Sequence, residues 1–202
     1  NTTTNSTSFD LDSYRIQNEG NITMSGTNTV KFNMKDTGAG TTISGGNIAS
    51  SGGLQFNSGA KLVLQPQDLN MTVVVGTPRR FFVASAASMH GVGASQIQVV
   101  QNNKDLNWTV VVDNNGISLL EDWGKDVYLQ NFVTQNSENS GVASQFINVK
   151  AGSDAEKMKE FLGNLAKNVG SAKVEEALKL VTNAGEAAGE ARAGIMSSVV
   201  DS

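Results

Sequence analysis

The sequence predicts a mainly β protein: short strands stacked turn upon turn, a β cap over the last turn, and a helical tail. Three observations lead there. Apolar residues alternate with polar or β-branched ones over most of residues 21–149. The segment LNMTVVV at 69–75 returns as LNWTVVV at 106–112, so one strand pattern is written twice. Beyond residue 151 the apolar spacing lengthens to three and four, the period of a helix.

Residues 1–20 are polar and weakly patterned, with Asp10, Leu11 and 14–16 as the only strand hints, and they read as a loose or incomplete turn. From residue 21 the inward candidates follow one another. They are Ile22 and Met24; Val30, Phe32 and Met34; Ile43 and Ile48; Leu54 and Phe56; Leu62 and Leu64; then Leu69, Met71, Val73 and Val75. Between them lie turns at 25–27, 37–40, 45–47, 51–53 and 57–59, built from residues that bend cheaply or accept positive φ. The step from Val30 and Phe32 to Leu54 and Phe56, and on to Val73 and Val75, is roughly twenty residues, the order of one turn of a β-solenoid. Residues 1–75 are therefore assigned to stacked coils. The alternative is an antiparallel sandwich with glycine turns, which antiparallel pairing of 54–56 with 62–64 would select.

The last coil of a solenoid is an open sheet edge and needs a cover. Residues 76–150 are assigned to that cap. Pro78 opens it, an apolar strand follows at 81–84, and a small-residue turn at 85–93 leads to a strand at 97–100. A polar hairpin at 101–106, a strand at 108–112, a turn at 113–116 and a strand at 117–120 complete the pattern. Asp113, Asn114, Asn115 and Gly116 signal a tight hairpin whose residues tolerate positive φ. Segments 127–134 and 145–149 read as two further strands. The cap core is assigned to Phe81, Val83, Ile97, Val99, Trp108, Val110 and Val112, alternating positions on three strands expected to be neighbours, with Trp108 as the anchor.

Residues 151–202 form the helical segment. Ser153 with Glu156 makes a capping box, after which Met158, Phe161, Leu162, Leu165 and Val169 recur at helical spacing. Gly170 ends that helix, and Ser171 can cap a second one carrying Val174, Ala177, Leu178 and Val181. From 186 to 202 the positions Ala187, Ala188, Ala191, Ile195 and Val199 stay near one face.

Composition narrows the function classes. The net charge is −4 and the only basic pair is Arg79 with Arg80, which argues against a phosphate-backbone partner and hence against nucleic acid. The absence of cysteine excludes disulfides, thiolate metal sites and cysteine nucleophiles, and it suits a chain that crosses a membrane unfolded. No apolar run has the length of a membrane helix, and the polar start carries no signal peptide, so the chain reads as a mature piece.

Candidate chemistry is sparse. His90, the one histidine, would have to serve any triad, with Ser85, Ser88 or Ser95 as nucleophile, yet no nucleophile elbow surrounds these serines. It reads as an exposed turn residue. Glu121, Asp122 and Asp126 are close in sequence but match neither a calcium loop nor a lyase face, and they read as solvated charge around Trp123. The triplets starting at Asn5, Asn21, Asn70 and Asn107 fit the glycosylation pattern, as chance supplies in a chain so rich in Asn and Thr. Gly185, Gly189 and Gly194 would let a helix pass a crowded space, while Glu186, Glu190 and Arg192 forbid a lipid-facing span. No catalytic, cofactor or metal residue is assigned.

The order FFVASAASMHGVGASQIQVV, then a polar hairpin, then LNWTVVVDNNGISLL resembles the C-terminal autochaperone region of classical bacterial autotransporter passengers. The likeness runs in order over residues 21–202 and reaches motif quality at 77–120. It implies a right-handed parallel β-helix whose final coils and cap fold first, followed by a linker helix leading into a translocator barrel that this chain lacks. It also implies a location at the cell surface or outside it, on a Gram-negative outer membrane, with the tail in the barrel lumen. The implied function is non-enzymatic: a stem and autochaperone segment that promotes passenger folding and contributes to adhesion or virulence. The implied partners are the chain's own translocator β-barrel, the outer-membrane assembly machinery, and a host-cell or self-association surface. Two rivals are a carbohydrate-active or adhesive β-helix and a trimeric phage-type spike.

Overall fold

The computed structural model describes residues 1–36, 42–68, 73–135, 140–147, 149–150 and 152–184. It divides into two compact units at Asp122 and Trp123, the first mainly strand and the second helical.

In the first unit the chain visits three stacks of strands in rotation. Its opening turn is β1 (Thr2–Asn5), β2 (Ser8–Asp10) and β3 (Arg15–Asn18). The second is β4 (Ile22–Ser25), β5 (Thr27–Asp36), β6 (Thr42–Gly45) and β7 (Asn47–Ser50). The third is β8 (Gly53–Phe56), β9 (Lys61–Asp68) and β10 (Arg79–Ser85), and a partial fourth is β11 (Ser88–His90) and β12 (Ile97–Val99). The first stack pairs β1, β4, β8 and β11 in parallel. The second pairs β2, β5, β9 and β12 in parallel. The third pairs β3, β7 and β10 in parallel, with β6 also parallel to β10. Leu54–Phe56 and Leu62–Leu64 thus belong to different stacks, and the antiparallel pairing that would select a sandwich is absent between them.

Antiparallel pairings make the larger sheet mixed: β5 with β6, β10 with β14 (Gly116–Trp123), and the hairpin that β14 forms with β13 (Leu106–Asp113). The hairpin differs from expectation in how it turns. Neither Asn114 nor Asn115 has a positive φ; instead the Asp113 side chain accepts from the Asn115 N–H at 2.8 Å and closes the bend. Gly116 is needed for space, because a Cβ there would stand 2.3 Å from the Ala84 carbonyl oxygen on β10.

Parallel registry puts inward residue over inward residue. Ile22 lies against Leu54, Met24 against Phe56, and Val30 against Leu64, and all six are buried. Phe32 of the second stack and Phe81 of the third lie ring on ring, 4.8 Å between centroids and 5° from coplanar, and join two walls of the core. The buried asparagine among the described residues, Asn28, is satisfied: its amide donates to the Ser25 carbonyl and its oxygen takes the Thr7 N–H, both at 3.0 Å.

Residues 1–20 correct the sequence reading, since they form a paired turn rather than a loose one. The alternation there is carried by Thr and Asn instead of aliphatic residues. Thr2 and Thr4 lie over Ile22 and Met24, and at one corner the Asn1 side chain takes the Asn21 N–H while the Asn21 side chain takes that of Gly53. The repeated segment is a second correction. Its later copy is β13, but in the earlier one Val73–Val75 form no strand, and Val74 makes only an isolated bridge to Thr77; residues 69–72 lie outside those described.

The helical unit contains α1 (Lys125–Gln135), α2 (Ser140–Ser144), α3 (Asp154–Asn168) and α4 (Ser171–Ala184). Helix replaces the strand expected over 127–134, and 145–147 form a turn where the other was expected, residue 148 lying outside those described, so this part does not belong to a β cap. The reason lies in the spacing: a helix gathers Tyr128, Leu129 and Phe132 on one buried side, whereas a strand would separate Leu129 from the other two. Leu129 and Phe132 pack with Met158, Leu162 and Leu165 of α3 and Val174, Ala177 and Leu178 of α4. Gly163 lets α1 approach, since a Cβ there would meet Lys125 at 3.1 Å. Ser153 caps α3 by accepting the Glu156 N–H at 3.2 Å, Glu156 reaches back to the Gly152 N–H, and Gly170 at φ +125° ends the helix. The segment 153–182 is therefore a packed helical pair. The glycines at 185, 189 and 194 and the face over 186–202 lie outside the described residues.

Neighbouring phenylalanines on β10 test the face assignment. Phe81 is buried, while Phe82 is half exposed under the Arg80 guanidinium, 5.3 Å from its ring centroid. Phe81→Ala is expected to cost about 3–5 kcal/mol in equilibrium urea unfolding, and Phe82→Ala no more than about 1 kcal/mol. Equal losses would overturn the orientation of the strand.

Candidate functional site

The closing strands carry the residues singled out from the sequence. Phe81, Val83 and Ile97 are buried in the main core, and Val99, Trp108, Val110 and Val112 are partly buried against it. They meet through that core rather than across neighbouring strands, because β10 lies beside β14 while β12 pairs with β9. The largest buried rings are Phe32 and Phe81, and Trp108 is peripheral. Sequence reasoning missed Ile117 and Leu119, both fully buried, the second directly opposite Phe81. Their alternation within GISLL was the available signal.

The same alternation carries a carboxyl inward. Ile117, Leu119 and Glu121 share one face of β14, and Glu121 is fully buried, with Asp122 nearly so. The expectation of solvated charge is thereby corrected for both. Asp126 does fit it: in the helical unit it is exposed and pairs with Lys159 at 3.7 Å. No donor reaches either oxygen of Glu121; beside it stands a second acceptor, the carboxyl of Asp68. A proton on Glu121 would let it donate to Asp68. Burial, followed by repulsion from Asp68 and this hydrogen bond, pushes Glu121 up to about 8, against the opposing pull of Arg79, its register partner on β10.

On β11, Ser88 Oγ and His90 Nε2 are 3.1 Å apart, both over Gly53, where a Cβ would stand 2.8 Å from the hydroxyl. This is a nucleophile and base contact at a strand spacing of two. Nothing among the described residues holds the other ring nitrogen, so the third, orienting member of a triad is missing. No group of three metal-ligating side chains occurs among the described residues, and no helix there is long and apolar enough to cross a membrane.

A cleft of about 610 Å³ opens on the outward side of the second stack, between β5 and β9 on its floor and Val100–Asn103, Leu106 and Trp108 around it. No family model matches the chain, and no curated protein or solved structure shows significant similarity to it.

The buried carboxyl fixes a pH dependence. A group whose ionisation is raised on folding adds stability in full below its unfolded value near 4.5, and this stability drains away as the pH rises through about 8. The melting temperature is expected to fall between pH 5 and 9 by the equivalent of a few kcal/mol. Glu121→Gln, which keeps the shape and a donor toward Asp68, should flatten that slope; an unchanged slope would mean Glu121 is ionised in the fold.

Proposed function

We propose that residues 1–122 are the last coils and closing cap of a right-handed parallel β-helix, serving as the stem and autochaperone segment of an autotransporter passenger displayed on or released from a Gram-negative cell. The observation that carries this reading is the change of direction at the end of the stacks. Successive turns add in parallel until β10, whose far edge is taken by the antiparallel β14. A hairpin of local contacts can form without the turns before it, and it then presents a finished edge on which the preceding turn can pair. Folding would proceed from the C-terminal end toward the N-terminal end, and each added turn would oppose backward sliding of a chain emerging from a pore.

The role is architectural and non-enzymatic. The cysteine-free composition suited to unfolded export supports that. The partners in this reading are the chain's own translocator barrel and the outer-membrane assembly machinery, with a host or self-association surface on the stem. The helical pair would stand between stem and barrel.

Refolding kinetics distinguish this from a solenoid that nucleates anywhere. Leu119→Ala in the closing strand and Ile22→Ala in the second turn should each cost about 2–5 kcal/mol. In stopped-flow refolding of the whole chain, Leu119→Ala should act mainly by slowing folding and Ile22→Ala mainly by speeding unfolding. The reverse partition, or an even one, removes the autochaperone assignment.

A further inference from the structure

The cleft lies where the fourth turn stops short. β5 and β9 pair over eight residues, whereas β12 covers only Leu62–Leu64 of β9. Past that point one edge of β9 is left without a strand neighbour from β12, and the cleft occupies the space.

This edge is closed to an incoming strand. The Leu64 carbonyl accepts the Val100 N–H at 2.8 Å, so the alternate residues Leu62, Leu64 and Pro66 turn their main-chain groups toward it. Pro66 has no N–H to offer, and its carbonyl is already taken by the Gln67 side-chain amide at 3.3 Å. An extended peptide would find neither donor nor free acceptor at the central position, which leaves side-chain chemistry to define the ligand.

That chemistry is amide, ring carbon and balanced charge. Gln65 and Asn102 make no side-chain hydrogen bond with another described residue and can each donate and accept. Trp108 is partly buried with its indole N–H inside, so the part of the side chain that lines the cleft presents carbon. Lys31 and Asp68 contribute one charge of each sign. The loop wall is set in advance: the Gln101 side chain accepts the Asn103 N–H and donates to the Asn103 carbonyl, both at 2.7 Å, which lowers the ordering cost of binding. The volume falls within the range of small-ligand sites, about 300–1,000 Å³.

From these features we infer that the cleft beside Pro66 binds a neutral saccharide. A pyranose ring has an apolar C–H face for Trp108 and a rim of hydroxyls that donate and accept at once, matching the amides of Gln65 and Asn102. A polyanionic chain would place repeated charge against Asp68 with only Lys31 to meet it.

The test titrates the full chain carrying Trp123→Phe, so that emission reports Trp108 alone, with maltotriose, cellotriose and the trimer of N-acetylglucosamine. At least one should shift the emission saturably with a Kd of about 1 mM or tighter. Calorimetry on Gln65→Ala and on Trp108→Ala should then show binding weakened at least tenfold, about 1.4 kcal/mol, in variants whose far-ultraviolet spectra match the parent. Gln65 is an outward-facing residue, so its variant keeps the test valid if Trp108→Ala fails to fold. Absence of saturation by all three sugars up to about 10 mM, undiminished binding by Gln65→Ala, or binding only of a sulfated trisaccharide would overturn the inference. Refolding kinetics are untouched by any of these outcomes, so the proposed folding role stands or falls separately.

Discussion

The strand unit depends above all on the eight-residue parallel register between β5 and β9. It holds Val30 over Leu64 and places Phe32 where the Phe81 ring can lie against it. A slip of one residue would turn each of these side chains to the opposite face, because side-chain direction alternates along a strand. The first and third stacks inherit their alignment from this pairing, since the turns that leave β5 and β9 are short on one side. β4 and β5 are separated by a single residue, and β8 and β9 by four, so the first stack is tied to the second almost rigidly.

The closing hairpin uses a different physical device. β14 adds to β10 with its inward face directed at the same core, and Gly116 permits close contact where the two strands begin to pair. Glu121 then ends the apolar series with a group that the core can accept only as a neutral acid. The cap is thus joined to the third turn by apolar packing along most of β14, with the buried Glu121 carboxyl beside Asp68 at its far end. The two contributions respond differently to solvent conditions: packing is insensitive to pH, whereas the raised Glu121 carboxyl is not.

Much of this arrangement was legible in the alternation itself. Ile22 and Met24, Leu54 and Phe56, and Leu62 and Leu64 were all read inward and are inward, and the Ser153 cap and Gly170 stop of α3 stand where their chemistry indicated. What escaped has identifiable causes. The first turn was obscured because asparagine and threonine side chains, rather than aliphatic ones, align it. Residues 127–134 are β-branched and aromatic enough for a strand, and tertiary packing against α3 decided for helix. The repeat did not carry a strand through Val73–Val75, because the register that places a strand is set by partners far away in sequence. Glu121 was misread because charge outweighed its position in an inward series. Its approach to Asp68 is a contact across 53 residues that no local pattern displays.

The asparagine corner has a consequence for how this chain can vary in length. Between the first two turns the offset is 20 residues at Thr2 and Ile22 and 21 at Ser8 and Thr29, but 32 at Arg15 and Asn47. The extra residues all enter between Lys31 and Asn47, away from the Asn1, Asn21 and Gly53 hydrogen bonds. That corner acts as a counting mark: the chain must return there in phase however long its excursion elsewhere. Insertions are therefore absorbed along one flank of the molecule, where sequence can drift and new loops can be tried, while the opposite flank preserves the frame.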